Sequence, residues 1–143
     1  MTENRLKKAA LFMAACKIHT LIACHPKHVF YLSGFSTTAR PYWQIGQTCC
    51  LISQNGLRAL ILPKPWGKEF SPVSGFQVIE YSKGPEGCAQ VIASLLPKHS
   101  EVKVGADLTW MSTLLYRALS KEAPHISLLD EHPVLAWCRM DKE

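Results

Sequence analysis

The sequence is short of most of what would announce a chemistry. It has no Gly-rich phosphate loop between a strand and a helix, and Ser33-Gly34 and Ser53 form no G-x-S-x-G elbow, so the nucleotide-binding and serine-hydrolase motifs are missing. No C-x-x-C pair exists among the six cysteines, which removes the usual spacing of a structural zinc site. Basic residues form no run longer than Lys7-Lys8, although 16 Lys and Arg stand against 11 Asp and Glu; nucleic acid is not expected as a partner, because a phosphate-tracking surface needs clustered cations. No segment reaches the roughly 18 consecutive apolar residues of a membrane span. Internal repeats, low-complexity tracts and long flexible linkers are also lacking.

What remains is a chain of 143 residues, 48% hydrophobic, in the size range of one compact domain with a real core. Cys16, Cys24, Cys49, Cys50, Cys88 and Cys138 stand mostly in apolar company and read as buried free thiols, with adjacent Cys49 and Cys50 on opposite faces of a strand. Lys7-Lys8 followed by Ala9 to Ala15 imitates a signal peptide, but Lys17 and His19 interrupt the run. Leu6, Ala10, Met13 and Ala14, with Leu11 and Ala15, fit instead an amphipathic helix over Glu3 to Cys16, with Thr2 as N-cap. The expected location is cytoplasmic, with no membrane partner.

Strand and helix patterns then alternate. Thr20 to Cys24 reads as a strand, and Pro26 opens a short helix over Lys27 to Leu32, closed by Gly34. Thr48 to Ser53 and Leu57 to Leu62 form a hairpin around Gln54-Asn55-Gly56. Phe76 to Tyr81 is a strand, Lys83-Gly84-Pro85 a turn, Gly87 to Leu96 a helix, and Val102 to Ala106 a strand. Thr109 through Glu122 follows as a helix packed through Met111, Leu114, Leu115 and Ala118, then strand Ile126 to Leu129 and helix Pro133 to Met140. This alternation predicts a single three-layer α/β domain: a mixed, mostly parallel sheet with one β-hairpin and helices on both faces.

Candidate chemistry is sparse. His25 and His28, three apart, can be imagined as a metal pair but read better as capping or surface residues. Asp107 reads as a cap of the helix that follows it, alone or with Thr109, and Asp130-Glu131 as a complement to another helix N-terminus. Cys24 is the one thiol near a helix start, and burial at a strand end explains it as well. Arg40, Tyr42 and Trp43 stand together in an aperiodic stretch, where loop aromatics beside Arg favour recognition; a covering role over the core is the other open reading. Trp66, among Pro63, Pro65 and Lys68, reads mainly as packing.

Val29-Phe30-Tyr31-Leu32-Ser33-Gly34-Phe35 resembles the N-V-x-Y-L-T/S-G-F segment in the N-terminal domain of the creatinase, prolidase and aminopeptidase P family. Gly46 to Ile52 is similar to that family's next strand, Leu57 to Pro63 to its hairpin return, Val102 to Asp107 to its K-V-G-V-E strand, and Leu135 to Lys142 to its L-R-x-I-K junction. No single motif is specific; their shared order carries the resemblance. Two positions depart from it: His28 stands where the family often has Asn, and Ala106-Asp107 replaces the usual ending in Glu.

The resemblance implies that residues 1–143 form a non-catalytic N-terminal domain, followed in the parent protein by a pita-bread catalytic domain. There two Asp, one His and two Glu would hold a dinuclear metal centre of Mn, Zn or Co. None of those ligands can be assigned in this chain, and the abrupt ending after Val134 to Cys138 at Arg139-Met140-Asp141-Lys142-Glu143 suggests an incomplete polypeptide. No cofactor and no catalytic residue are therefore expected in the chain, and no peptidase or creatinase activity from it alone. The implied partners are its own catalytic domain, a second subunit in a homodimer, and a small peptide or small-molecule substrate. Arg40, Tyr42 and Trp43 are the implied substrate-binding residues. A stand-alone module binding a small carboxylate ligand or a protein through Arg40 to Trp43 is the alternative.

Overall fold

The computed structural model describes residues 2–35, 48–64, 75–98 and 101–131. The elements run α1 (Thr2–Cys16), β1 (Thr20–Ala23), α2 (Pro26–Ser33), β2 (Cys49–Ser53), β3 (Arg58–Pro63), β4 (Gln77–Tyr81), α3 (Gly84–Ser94), β5 (Val102–Ala106), α4 (Thr113–Glu122) and β6 (Ile126–Asp130). The six strands form one sheet in the order β4-β3-β2-β1-β5-β6. β2 pairs antiparallel with both β1 and β3, and every other pairing is parallel, so five strands run one way and β2 alone runs against them. This is the mixed, mostly parallel sheet with one hairpin that the sequence predicts.

Strand alternation feeds two cores. Leu21, Ala23, Cys50, Ile52, Leu60 and Leu62 face one side, where Leu6, Ala9 and Met13 of α1 and Val29 and Leu32 of α2 cover them. Ile22, Cys49, Leu51, Ala59, Ile61, Val104 and Ala106 face the other, beneath Cys88, Ala89 and Ile92 of α3 and Leu115 and Leu119 of α4. Because both faces are covered, β2 and β3 read as near-continuous apolar runs rather than as alternating strands. Cys49 and Cys50 do point to opposite layers, and Cys24, Cys49, Cys50 and Cys88 are buried free thiols, while Cys16 is exposed. Among the described residues no helix is long and apolar enough to cross a membrane.

Several boundaries differ from the sequence reading, each for a local reason. Thr2 is the first residue of α1 rather than its cap. The buried stripe of α1 is Leu6, Ala9 and Met13, with Ala10, Ala14 and Ala15 exposed and Leu11 at 72% exposure; seven successive apolar residues leave the phase of the helix open, and packing chooses it. Lys83-Gly84-Pro85 begins α3 instead of forming a separate turn, because proline suits the first turn of a helix, where its missing N–H is not needed. α4 starts at Thr113, not Thr109: the Ser112 side chain accepts the Leu115 N–H at 3.0 Å and caps it, while residues 107–111 form a tight turn. Its inward face is Leu115 and Leu119, and Leu114 is 63% exposed. The helix expected over Pro133 to Met140 lies outside the described residues.

The two faces of α4 give a direct check of this packing. Leu115→Ala should cost about 2–5 kcal/mol, and Leu114→Ala should stay within about 0.5 kcal/mol, by urea unfolding of the two variants. Equal losses would mean that the helix is rotated from the described orientation.

Candidate functional site at the crevice between β1 and β5

β1 and β5 are parallel neighbours whose following helices leave to opposite sides: α2 packs on the layer with α1, and α4 on the layer with α3. Such a divergence opens a crevice outside the carboxyl ends of the strands, the usual place for a binding site in an open α/β sheet. Since β1, β3, β4, β5 and β6 all end at this edge and β2 starts there, Cys24, Lys64, Asp107, Glu131 and Thr48 are the first or last residues of the loops that meet on it.

In this structure the crevice is bridged by the chain itself. Asp107, fully buried, follows β5 and sends its carboxylate across to the start of α2. Oδ2 accepts the N–H of Cys24 at 2.8 Å and of His25 at 3.1 Å, and His28 Nδ1 lies 3.0 Å from Oδ1 and 3.2 Å from Oδ2. An ionised carboxylate only accepts, so the proton of this bond resides on His28 Nδ1. His28 is 1% exposed and sits on the same inner face of α2 as Val29 and Leu32. The sequence reading of Asp107 as a cap of the next helix is thus corrected. Its backbone oxygen receives the N–H groups of Trp110 and Met111, and its carboxylate serves the N-terminus of α2, 79 to 83 residues away in sequence.

His25 is the N-cap of α2, with Nδ1 accepting the Lys27 N–H at 3.0 Å, and Pro26 lies in the first turn. Its ring stands 4.8 Å from that of His28 and meets Trp110 edge-on at 4.4 Å, which places a half-exposed indole over the outer side of the cluster. Capping is therefore the role of His25, as the sequence reading preferred over a metal pair. Both Nδ1 atoms are engaged, and among the described residues no group of three or more His, Cys, Asp or Glu is placed to hold a metal ion. A dinuclear metal centre does not fit the described residues.

The thiols near this edge have no catalytic setting. Cys24 Sγ lies 3.7 Å from Cys49 Sγ. The hydrogen bond with Cys24, reinforced by burial, holds the Cys49 thiol well above its ordinary pKa against the contact with Cys88; its bond to Cys49 and then burial do the same for Cys88. Burial alone raises Cys50. Buried thiols of this kind are poor nucleophiles. Arg40, Tyr42, Trp43 and Trp66 lie outside the described residues; the flanks of the first segment are Phe35, after α2, and Thr48, before β2.

The pairing of His28 with Asp107 escaped the sequence reading because the two residues stand 79 positions apart. The sequence held a partial signal: His28 stands four residues before Leu32, so the two share one face of α2.

Burial pushes the Asp107 carboxyl up, while the hydrogen bond and charge of His28 and the amides of His25 and Cys24 pull it down; the balance holds it below its ordinary value. A depressed pKa in the folded state means a contribution to stability that is present above the unfolded value, about 3.9, and lost as pH falls through the folded value. Glu131 works the other way, since burial, with the charge of Asp130, raises it and its protonation favours the fold. Urea midpoints measured from pH 7 to pH 3 should therefore fall less steeply below about pH 4 in Asp107→Asn than in the unaltered chain. Equal slopes would remove this assignment.

Comparison with known proteins agrees with this architecture. The chain matches the model of the creatinase/prolidase N-terminal domain over residues 5–140. No curated protein matches it. Among solved structures, a proline dipeptidase from Streptococcus pneumoniae superposes with a TM-score of 0.79 at 20% identity, covering 96% of this chain and 98% of that one. An Xaa-Pro aminopeptidase from Streptococcus pyogenes gives 0.70 at 27% identity over 96% of both chains. The prolidase from Pyrococcus horikoshii gives 0.71 at 19% identity, with 98% of this chain covering 36% of that longer one. With the six-stranded mixed sheet, its order and its two helical layers in place, the chain belongs to the creatinase/prolidase N-terminal domain family.

Proposed function

We propose that this chain is the non-catalytic N-terminal domain of an Xaa-Pro dipeptidase-like, aminopeptidase P-like or creatinase-like metallohydrolase. It acts in the dimer and forms one wall of the partner subunit's substrate site. The observation that carries the reading is the family match over residues 5–140, supported by the superposition on proline dipeptidase and Xaa-Pro aminopeptidase chains along nearly their whole described length. In this reading residues 1–143 are one domain, and the dinuclear Mn, Zn or Co centre belongs to a separate catalytic domain, whose converging carboxylates bind two metal ions. The intact protein is cytoplasmic and works on a small peptide or a small-molecule amide or amidine.

Within this reading Arg40 pairs with a substrate carboxylate through its planar fork, and Tyr42 and Trp43 shape a small pocket by excluding water. Thr48, the flank on the β2 side, stands at the strand edge that also carries the Asp107 cluster, which favours a role for the intervening segment at that edge. In a full-length protein carrying the catalytic domain, Arg40→Ala should raise KM or lower kcat for an Xaa-Pro dipeptide by about tenfold or more, as expected for loss of a charge-assisted hydrogen bond. Unchanged kinetics would remove the substrate-wall role. The isolated chain should leave the same dipeptide intact in the presence of Mn²⁺; hydrolysis by the purified chain would overturn the non-catalytic reading.

A further inference from the structure

The residues that hold α2 in place do more than complete a core. α2 has eight residues, too few for a helix to persist on its own propensity, so its position depends on what it is tied to. At its far end Gly34 adopts the left-handed conformation, φ 82°, donates its N–H to Phe30 O at 2.8 Å, and releases the chain at Phe35. Ser33 locks that exit, its Oγ donating to Val29 O at 2.6 Å and accepting the Phe35 N–H at 3.1 Å. At the near end three donors from the β1-to-α2 turn and the helix converge on one group beyond β5. The Asp107 carboxylate takes two backbone N–H groups from the β1-to-α2 turn and one ring N–H from the helix.

We propose that Asp107, acting with His28, is the positioning residue of this edge: it fixes the start of α2 against the ends of β1 and β5, and through α2 the point at which the chain enters the segment carrying Arg40, Tyr42 and Trp43. The importance given to that segment rests on the substrate-wall reading; the positioning of α2 does not. An apolar contact could hold the helix against the sheet, but it would leave the helix free to slide along its axis. A carboxylate shared by three donors from two directions fixes both the height and the rotation of the first turn. Asn in place of Asp107 keeps one acceptor oxygen and puts an NH₂ group where the other stood, so the three bonds cannot all be kept as they are. His28→Asn, by contrast, keeps a donor the same number of bonds from the backbone, since Asn Nδ2 and His Nδ1 are topologically equivalent, whereas His28→Leu removes it.

The test is residue-resolved amide exchange on the 143-residue chain with Asp107→Asn, His28→Leu and His28→Asn. Asp107→Asn and His28→Leu should speed exchange by about tenfold or more at Cys24, His25 and the amides of α2, with β3 and α4 far less affected, and His28→Asn should restore protection close to that of the unaltered chain. The two His28 variants decide the matter should Asp107→Asn fail to fold. Equal exchange in His28→Leu and His28→Asn, or acceleration spread evenly over β3 and α4, would overturn the proposal and leave His28 and Asp107 as ordinary core residues. The kinetics of Arg40→Ala bear on the substrate wall alone, so an inert Arg40 together with a local effect of His28→Leu would discard that wall and keep the positioning role.

Discussion

A buried carboxylate is among the most costly groups a small domain can hold, and this fold places one at the point where its topology would otherwise leave a gap. Asp107 is tolerable there because three donors meet it: the amides of Cys24 and His25 and the ring of His28. The same arrangement sets the N-terminus of α2 beside a negative charge, which suits the positive end of the helix dipole. Much of the edge follows from this one contact. His25 caps the helix, its ring lies 4.8 Å from that of His28, and Trp110 meets His25 edge-on from the turn that Asp107 itself begins.

The two positions at which the sequence departs from the family pattern are the two that meet here. His28 stands where Asn is frequent and Asp107 where Glu is usual, and His28 and Asp107 are 3.0 Å apart. A side-chain N–H on α2 faces a carboxylate at the end of β5.

Legibility varied with how local the deciding forces were. β5 was readable to the residue as Val102 to Ala106, a short strand of valines and small residues with Lys103 facing outward, between Glu101 and Asp107. The α2 boundaries came from Pro26 and Gly34, residues whose backbone preferences act within one turn. The start of α4 was misplaced by four residues, because Thr109 and Ser112 both have capping chemistry and only the turn through Asp107, Trp110 and Met111 selects between them. Leu114 and Leu115 are equally apolar, and nothing in their order tells which meets the layer of α3. Arg40, Tyr42 and Trp43 were singled out by composition and resemblance alone, and lie outside the described residues.

What the sequence determined by itself was the alternation of strands and helices, the hairpin around Asn55-Gly56, the burial of four thiols and the family, since each rests on patterns a few residues long repeated in a fixed order. Only the tertiary structure decided that Asp107 belongs to α2 and not to α4, that His28 is an inner residue with an acid partner, and that β1 and β5 lie side by side. These are matters of which strand ends become neighbours. Neighbourhood across 79 residues is set by packing of the whole sheet, which no local spacing records.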